Sequence, residues 1–147
     1  GTRRSLAGVE SCGWLDGDAL AAVMARASIF ALPARYEPFG LCPLEAALRG
    51  AALVLGDIES LREVWGDAAV FVPPDDHDAL AAALSHLIDD RADRHRLAAR
   101  ARERARWFTA ERMARQTLEV YARATAASKE LEEGAGAAWT QEGSPCA

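Results

Sequence analysis

Three short apolar runs, each closed by glycine or proline, constrain the fold of this chain more than any other feature. The runs are Ser28–Leu32 before Pro33, Ala52–Leu55 before Gly56, and Ala69–Val72 before Pro73 and Pro74. A continuous apolar run of this length is typical of a parallel strand that is buried on both faces. Because segments with helical patterns separate the runs, the chain predicts an α/β fold with a doubly wound parallel sheet.

Helix signals lie between the three runs. Asp16 and Asp18 supply N-cap chemistry before apolar residues at helical spacing. Pro43 suits the first turn of a second helix, and Gly50 ends it. A short helical turn is expected around 60–65, between the second and third runs.

After the third run the chain is predicted to be helical almost to its end. The expected helices start at Asp76 or Asp78, run from about Asp93 to Arg104, and run from Thr109 to about Ala126. In the last of them Met113, Leu118 and Tyr121 are expected to point inward. At the other end of the chain, residues 8–14 indicate the edge of a strand.

The composition indicates how the chain is organised. Its 147 residues, half of them apolar, suit one compact domain, which we place at residues 1–127. Residues 128–147 are rich in Glu, Gly, Ser and Ala and are predicted to have no fixed structure. The chain starts at Gly1 rather than Met, and a free-standing domain of this type usually has more strands. We therefore expect the amino-terminal side of the domain to be missing.

Charge and cysteine content bound the partners and the compartment. A net charge of −5 argues against nucleic acid or an anionic membrane as the main partner. No apolar run is long enough to cross a bilayer, and the first residues do not resemble a signal peptide. Neither the histidines nor the cysteines follow metal-ligand spacing, so we expect a cytoplasmic protein without disulfides or a zinc site. These residues are His77, His86, His95, Cys12, Cys42 and Cys146.

The segment from Arg35 to Ala46 is the best candidate for a ligand site. It joins a predicted strand to a predicted helix, where ligands bind in open α/β sheets. Glu37 precedes proline and is therefore held extended, and no capping task for it is evident from the sequence. Gly40 removes side-chain bulk, so the N–H groups of residues 39–42 are expected to approach an anion closely.

Two carboxylates, Glu37 and Glu45, bracket this turn. They are poor phosphate contacts but good acceptors for hydroxyl groups of a sugar or ribose, since hydrogen bonds to a charged partner contribute roughly 1.5–3 kcal/mol each. A diphosphate on the amides with polyols on the carboxylates describes a nucleoside diphosphate sugar. Glu45 also has a structural interpretation, because glutamate is favoured near the third position of a helix for its interaction with the dipole.

The residues Glu37-Pro38-Phe39-Gly40-Leu41, then Cys42-Pro43-Leu44, then Glu45 resemble the E-x7-E signature of retaining GT-B glycosyltransferases. The resemblance is to glycosyltransferase family 4 (glycosyl transferases group 1) and spans about Val9 to Tyr121. It includes the acidic helix start after Gly13, the three apolar runs and the block Leu61-Arg62-Glu63-Val64. It implies the Rossmann-like C-terminal, donor-binding half of a GT-B fold, truncated at its N-terminal side and followed by helices.

The resemblance also implies roles for individual residues. Glu37 would be the catalytic residue and would contact donor sugar hydroxyls, helped by the backbone of Phe39 and Gly40. Amides near Gly40 and Leu41 would hold the sugar or the distal phosphate, and Glu45 would accept hydrogen bonds from the ribose. The backbone at Gly13 and Trp14 would lie against the base.

The implied reaction is transfer from a nucleoside diphosphate sugar, with retention of configuration, to an unknown acceptor, whether a saccharide, a lipid or a small molecule. No cofactor is implied, and a metal ion is not required. The missing N-terminal Rossmann domain would bind the acceptor and would allow peripheral association with the inner membrane. Without it, this hexosyltransferase or other glycosyltransferase fragment is expected to be inactive alone.

Two departures from the family pattern and two alternatives stay open. The chain has Gly50-Ala51-Ala52-Leu53 where the family often has Gly-x-Pro-Val, and the basic residues that meet the diphosphate would lie upstream. One alternative is another GT-B enzyme, such as a nucleotide-sugar epimerase or a phosphorylase. A phosphorylase would need a cofactor lysine, whereas Lys129 is the only lysine here. The other alternative is a non-catalytic nucleotide-sugar-binding remnant.

Overall fold

A computed structural model describes residues 8–139, with side-chain environments described for residues 8–127. The chain divides into two compact units, Gly1–Arg106 and Trp107–Ala147. The elements of the first unit are α1 (Gly17–Arg26), β1 (Ile29–Leu32), α2 (Leu41–Leu48), β2 (Ala52–Gly56), α3 (Glu59–Trp65), a 3-10 turn (Gly66–Ala68), β3 (Val70–Val72), α4 (His77–Asp89) and α5 (Arg91–Ala105). The second unit contains α6 (Ala110–Trp139).

The three predicted strands form a parallel sheet with β2 in the centre. Ile29 of β1 is in register with Ala52 of β2, and Gly56 of β2 is in register with Val72 of β3. Every residue of β2 is buried, as expected for a strand covered on both faces. The prediction of a parallel α/β sheet is confirmed.

Side chains of β2 alternate between two apolar clusters, one on each face of the sheet. One cluster combines Leu53 and Leu55 with Ala46 and Ala47 of α2, Leu61 and Trp65 of α3, and Ala101 and Ala105 of α5. The other combines Ala52 and Val54 with Val72 of β3, Leu87 of α4 and Leu97 of α5. Helices therefore pack on both faces, which is the doubly wound arrangement that was predicted.

The secondary structure of the first unit differs from the predictions in three places. Asp16 caps α1 and Asp76 caps α4 as expected, each accepting a hydrogen bond of 2.8 Å from the backbone three residues on. Helix α5 begins at Arg91, two residues before the predicted start near Asp93, and Asp90 caps it. Helix α2 begins at Leu41 instead of Pro43, because proline fits any position of a first turn. Residues 9–13 form no strand, and the edge strand predicted at 8–14 is wrong.

The second unit departs further from expectation. Met113, Leu118 and Tyr121 are each about two-thirds exposed, so the prediction that they point inward is wrong. The spacing of these residues predicts a shared helix face, but it does not predict that another part of the protein packs against that face. Helix α6 continues through Trp139, into the segment 128–147 that was expected to have no fixed structure. Residues 140–147, including Cys146, lie outside the described residues, and the division at 127 stays a prediction.

Candidate functional site

The candidate site lies at the edge of the sheet where all three strands end. Because the strands are parallel, residues 33–40 after β1, here called the motif loop, lie at the same edge as Asp57 after β2 and Pro73–Asp76 after β3. An ion pair between Arg35 and Asp75 joins the loops that follow the two outer strands, with Arg35 Nε donating to Asp75 Oδ1 at 2.7 Å. The edge is therefore spanned by side-chain contacts across its central strand.

The base of the motif loop rests on the backbone of β2. A Cβ atom on Gly56 would lie 2.9 Å from the nitrogen of Ala34 and even closer to its oxygen. No side chain can occupy that position without moving the backbone. The glycine that closes the second apolar run thus admits the neighbouring loop, in addition to ending the strand.

The middle of the motif loop is tied to α3. Ser60 Oγ donates a hydrogen bond of 2.6 Å to the main-chain oxygen of Glu37, in a partly buried setting. The next residue, Leu61, is fully buried. This contact was missed by the reasoning from sequence, because the two residues lie 23 positions apart and a serine early in a helix carries no signal of a distant partner.

The side chain of Glu37 folds back onto its own loop. Its Oε1 accepts a hydrogen bond of 2.9 Å from the backbone N–H of Gly40. The expectation that Glu37 has no capping task is therefore wrong, since its carboxylate satisfies an N–H at the entrance of α2. Within the described residues, Oε2 of the same carboxylate has no hydrogen-bond partner.

Gly40 is the residue that turns the chain into α2. It is buried and has a φ of 87°, in the left-handed region that favours glycine. A Cβ there would also lie 3.1 Å from Cγ of Pro43. The first backbone bond of the helix runs from the N–H of Leu44 to the oxygen of Gly40, at 3.1 Å.

This geometry leaves two amides available at the start of α2. Pro43 has no N–H, and the N–H of Gly40 is engaged by Glu37. Among the described residues, the N–H groups of Leu41 and Cys42 have no acceptor. Both residues are exposed, and Phe39 before them is half-buried. The predicted anion contact from the amide of Gly40 is thus not available in this structure, whereas those from Leu41 and Cys42 are.

Glu45 lies further along the helix than predicted. It is the fifth residue of α2 and lies beyond the first turn. The first turn itself contains no acidic residue. Dipole compensation in the first turn therefore does not explain it. Its carboxylate is about half exposed and lies 3.8 Å from the guanidinium of Arg49. No hydrogen bond among the described residues joins it to Glu37.

Gly13 and Trp14 precede α1 outside any helix or strand, and Trp14 is 90% exposed. In the part of the chain that the structure describes, no hydrogen bond links either residue to the motif loop. Their predicted contact with a nucleotide base stays a prediction.

A second ion pair involves Asp57, the residue that directly follows β2. Arg62 of α3 donates to both carboxylate oxygens of Asp57, through Nε and, at 2.7 Å, through Nη2. Its guanidinium carbon also lies 4.7 Å from the centroid of the Phe71 ring. The hydrogen bond from Arg62 holds the pKa of Asp57 below its usual value. The carboxylate nearest the end of the central strand is therefore already neutralised by a cation.

Among residues 8–127, whose side chains the structure describes, no group of three or more His, Cys, Asp or Glu side chains could hold a metal ion. Over residues 8–139, no helix has the length and apolar character needed to cross a membrane. Cys12 and Cys42 are exposed free thiols.

Comparisons with known proteins identify a family for the chain. The family model described as glycosyl transferases group 1 matches residues 4–104. The chain is 40% identical over 121 residues to the glycogen synthase of Mycobacterium tuberculosis, covering 80% of this chain and 29% of that protein. It is 41% identical over 113 residues to a D-inositol 3-phosphate glycosyltransferase of a Nocardioides species, covering 76% of this chain and 25% of that protein.

A solved structure gives the same result for the fold. Sucrose-phosphate synthase from Thermosynechococcus elongatus superposes with a TM-score of 0.69 at 31% identity, covering 78% of this chain and 30% of that one. The chain thus spans less than a third of the length of each of these three proteins.

Proposed function

The chain belongs to the glycosyl transferases group 1 family, and on that premise we propose that it is the donor-binding part of a retaining GT-B glycosyltransferase of family 4. The proposed reaction moves a sugar from a nucleoside diphosphate sugar to an acceptor with retention of the anomeric configuration. The donor half alone binds the nucleotide sugar without turning it over.

The observation that carries this proposal is the arrangement of Glu37 around the start of α2. One oxygen of its carboxylate is fixed on the N–H of Gly40, and the other is left without a protein partner among the described residues. The unpaired amides of Leu41 and Cys42 follow directly in the chain. A carboxylate that accepts from hydroxyl groups and amides that donate to an anion are the two halves of a sugar phosphate site.

The diphosphate is proposed to lie at the amides of Leu41 and Cys42 rather than at Gly40. The dipole of α2 contributes roughly 0.3–1 kcal/mol to anion binding at this end of the helix. The same groups stabilise the departing diphosphate during transfer, so we propose that a metal ion is not required.

Glu37 is proposed as the catalytic residue that contacts donor sugar hydroxyls, and Glu45 as the acceptor for the ribose hydroxyls. Glu45 is exposed on α2 and is available once its interaction with Arg49, at 3.8 Å, gives way. Gly13 and Trp14 are proposed to supply backbone contacts to the base.

The acceptor is proposed to be bound outside this chain. The names of two relatives refer to different substrates or products, glycogen in one and D-inositol 3-phosphate in the other. Since each is similar to about three-quarters or more of this chain, we propose that this chain handles what the two enzymes share, the sugar donor. A cytoplasmic enzyme, with an N-terminal acceptor domain able to associate with the inner membrane, completes the proposal.

Calorimetric titration of the chain with UDP, GDP and ADP and with their sugar derivatives tests the proposal. We expect one nucleotide sugar to bind more tightly than its free diphosphate. Glu37→Gln should weaken nucleotide-sugar binding roughly 10- to 100-fold, because hydrogen bonds to a charged acceptor contribute about 1.5–3 kcal/mol. It should leave the free diphosphate almost unaffected.

Glu45→Gln should instead lower the affinity for the nucleotide sugar and for the free nucleoside diphosphate by similar factors, because both contain the ribose. Glu103→Gln, an exposed substitution on α5, is the matched control for loss of a carboxylate. The assignment would be refuted if none of the nucleotide sugars binds. It would also be refuted if Glu37→Gln and Glu45→Gln both bind the nucleotide sugar as tightly as the wild type.

A further inference from the structure

We propose that Ser60 is a positioning residue that sets Glu37 for contact with the donor sugar. The inference rests on the proposed function for its consequence, but its structural basis is independent of any ligand. Ser60 lies on α3, a different helix from the one that the motif loop enters. Its hydroxyl is half-buried and donates to the main-chain oxygen of Glu37 at 2.6 Å.

The two hydrogen bonds of Glu37 fix it from both ends. Ser60 holds the main-chain carbonyl, while Gly40 holds Oε1 of the side chain. With the backbone anchored and one carboxylate oxygen engaged, the free oxygen Oε2 has little freedom to move. Loss of the Ser60 hydroxyl would release the peptide between Glu37 and Pro38, and the carboxylate could then turn with it.

The helix that carries Ser60 is itself well anchored. Its neighbour Leu61 is fully buried, and Cδ2 of Leu61 lies 3.5 Å from the position of a Cβ on Gly40. Trp65, one turn further on, is also buried in the same cluster. The serine therefore ties the motif loop to a helix whose side chains Leu61 and Trp65 are buried in the core.

This role differs from a purely structural one in what it changes. If the hydrogen bond only stabilises the loop, its loss should lower the affinity for every ligand of the site by the same factor. If the hydrogen bond positions Glu37, its loss should lower only the contribution of the sugar to the affinity. The diphosphate contacts the amides of α2 in the proposed function and should bind as before. The ratio between the affinity for a nucleotide sugar and that for its free diphosphate separates these cases.

The experiment compares this ratio, by calorimetry, in the wild type and in Ser60→Ala, Ser60→Thr and Ser85→Ala. We expect Ser60→Ala to lower the ratio up to about 10-fold, which matches the net contribution of one hydrogen bond. Ser60→Thr keeps a hydroxyl and should restore the ratio. Ser85, exposed on α4, is the matched control and should leave it unchanged.

A ligand-free measurement keeps the outcomes distinguishable. The amide proton resonance of Gly40 reports its hydrogen bond to Glu37, and Glu37→Gln should move it. We expect Ser60→Ala to move it in the same direction and Ser60→Thr to leave it in place. If this pattern holds but the wild type binds no nucleotide sugar, the positioning contact stands and the proposed function fails.

Two results would overturn the inference itself. One is an unchanged ratio and an unchanged Gly40 resonance in Ser60→Ala. The other is an equal loss of affinity for the nucleotide sugar and the free diphosphate, which would reduce Ser60 to a general stabiliser of the loop.

Discussion

The motif loop and the segment before α1 were both predicted to contact the nucleotide sugar, yet the structure holds them very differently. Residues 33–40 are tied to β2 through Gly56, to α3 through Ser60 and to the loop after β3 through Arg35. Among the described residues, 8–15 make no hydrogen bond to any other part of the unit.

The difference shows that a binding motif can contain its own support. Glu37 and Gly40 hold each other, so part of the geometry of the motif loop follows from the motif itself. Trp14, by contrast, is 90% exposed and has no such partner among the residues that the structure describes. Preorganised contacts cost less conformational entropy on binding, so the motif loop is expected to dominate the affinity for the donor.

The sharpest way to test this comparison is to make the same substitution beside each region. Gly56→Ala places a methyl group against the backbone of Ala34, whereas nothing lies within 4 Å of a Cβ on Gly17, at the start of α1. We expect Gly56→Ala to lower the free energy of unfolding by about 3 kcal/mol, the upper end for overpacking. Gly17→Ala should be neutral or slightly stabilising. Urea unfolding measures both, and equal effects would mean that the contact of the motif loop with β2 is not a constraint.

A second pair of substitutions tests the strain at positive φ. Gly40 and Gly8 have φ values of 87° and 79°, but only Gly40 would also crowd a neighbour. Gly40→Ala should cost about 1–2 kcal/mol, because its surroundings maintain the left-handed conformation. Gly8→Ala should cost less than about 0.5 kcal/mol, since an unbonded segment can relax. A similar loss of unfolding free energy in both variants would show that residues 8–15 are held as firmly as the motif loop.

A smaller effect is expected from the ion pair across the sheet edge. Arg35 and Asp75 are largely exposed, and exposed pairs contribute about 0.2–1 kcal/mol. Arg35→Gln should therefore lower the free energy of unfolding by that amount at low salt, with a smaller difference at 1 M NaCl. A double-mutant cycle with Asp75→Asn isolates the pair, and a coupling energy independent of salt would contradict this interpretation.

The smallest effect concerns acid stability. Arg62 lowers the pKa of Asp57 in the folded chain, so their pair stabilises the fold above the unfolded pKa of about 3.9. That contribution is lost as the pH falls through the lower folded pKa. Asp57→Asn should therefore be less stable than the wild type at neutral pH and similar to it at strongly acid pH, measured by urea unfolding. Asp18→Asn, on α1, is the control for a carboxylate without this ion pair.

The sheet could be predicted from the sequence because its signals are local. Each apolar run ends at glycine or proline, and the observed strands fall within a residue of the predicted runs. The position of the motif at the end of β1 followed from the same pattern. The exposure of the apolar side chains of α6 could not be predicted in this way. Spacing identifies which residues share a helix face but not what lies against that face.

The internal contacts of the site could not be read from the sequence. The bond from Gly40 to Glu37 depends on a left-handed residue three positions away, and the bond from Ser60 depends on how two helices pack. The sequence predicts Glu45 near the third position of α2 because Pro43 suits the start of a helix. The helix begins two residues earlier, since proline is tolerated throughout a first turn.

The contact of Gly56 with Ala34 has a consequence for how this domain tolerates change. The motif loop rests there on main-chain atoms, which are the same whatever side chains fill the interior. Leu53 and Leu55, next to that contact, could be exchanged for other apolar residues of similar volume without redirecting the loop. Evolution or a protein engineer could therefore rework the interior of the domain while the geometry at its sheet edge is inherited intact.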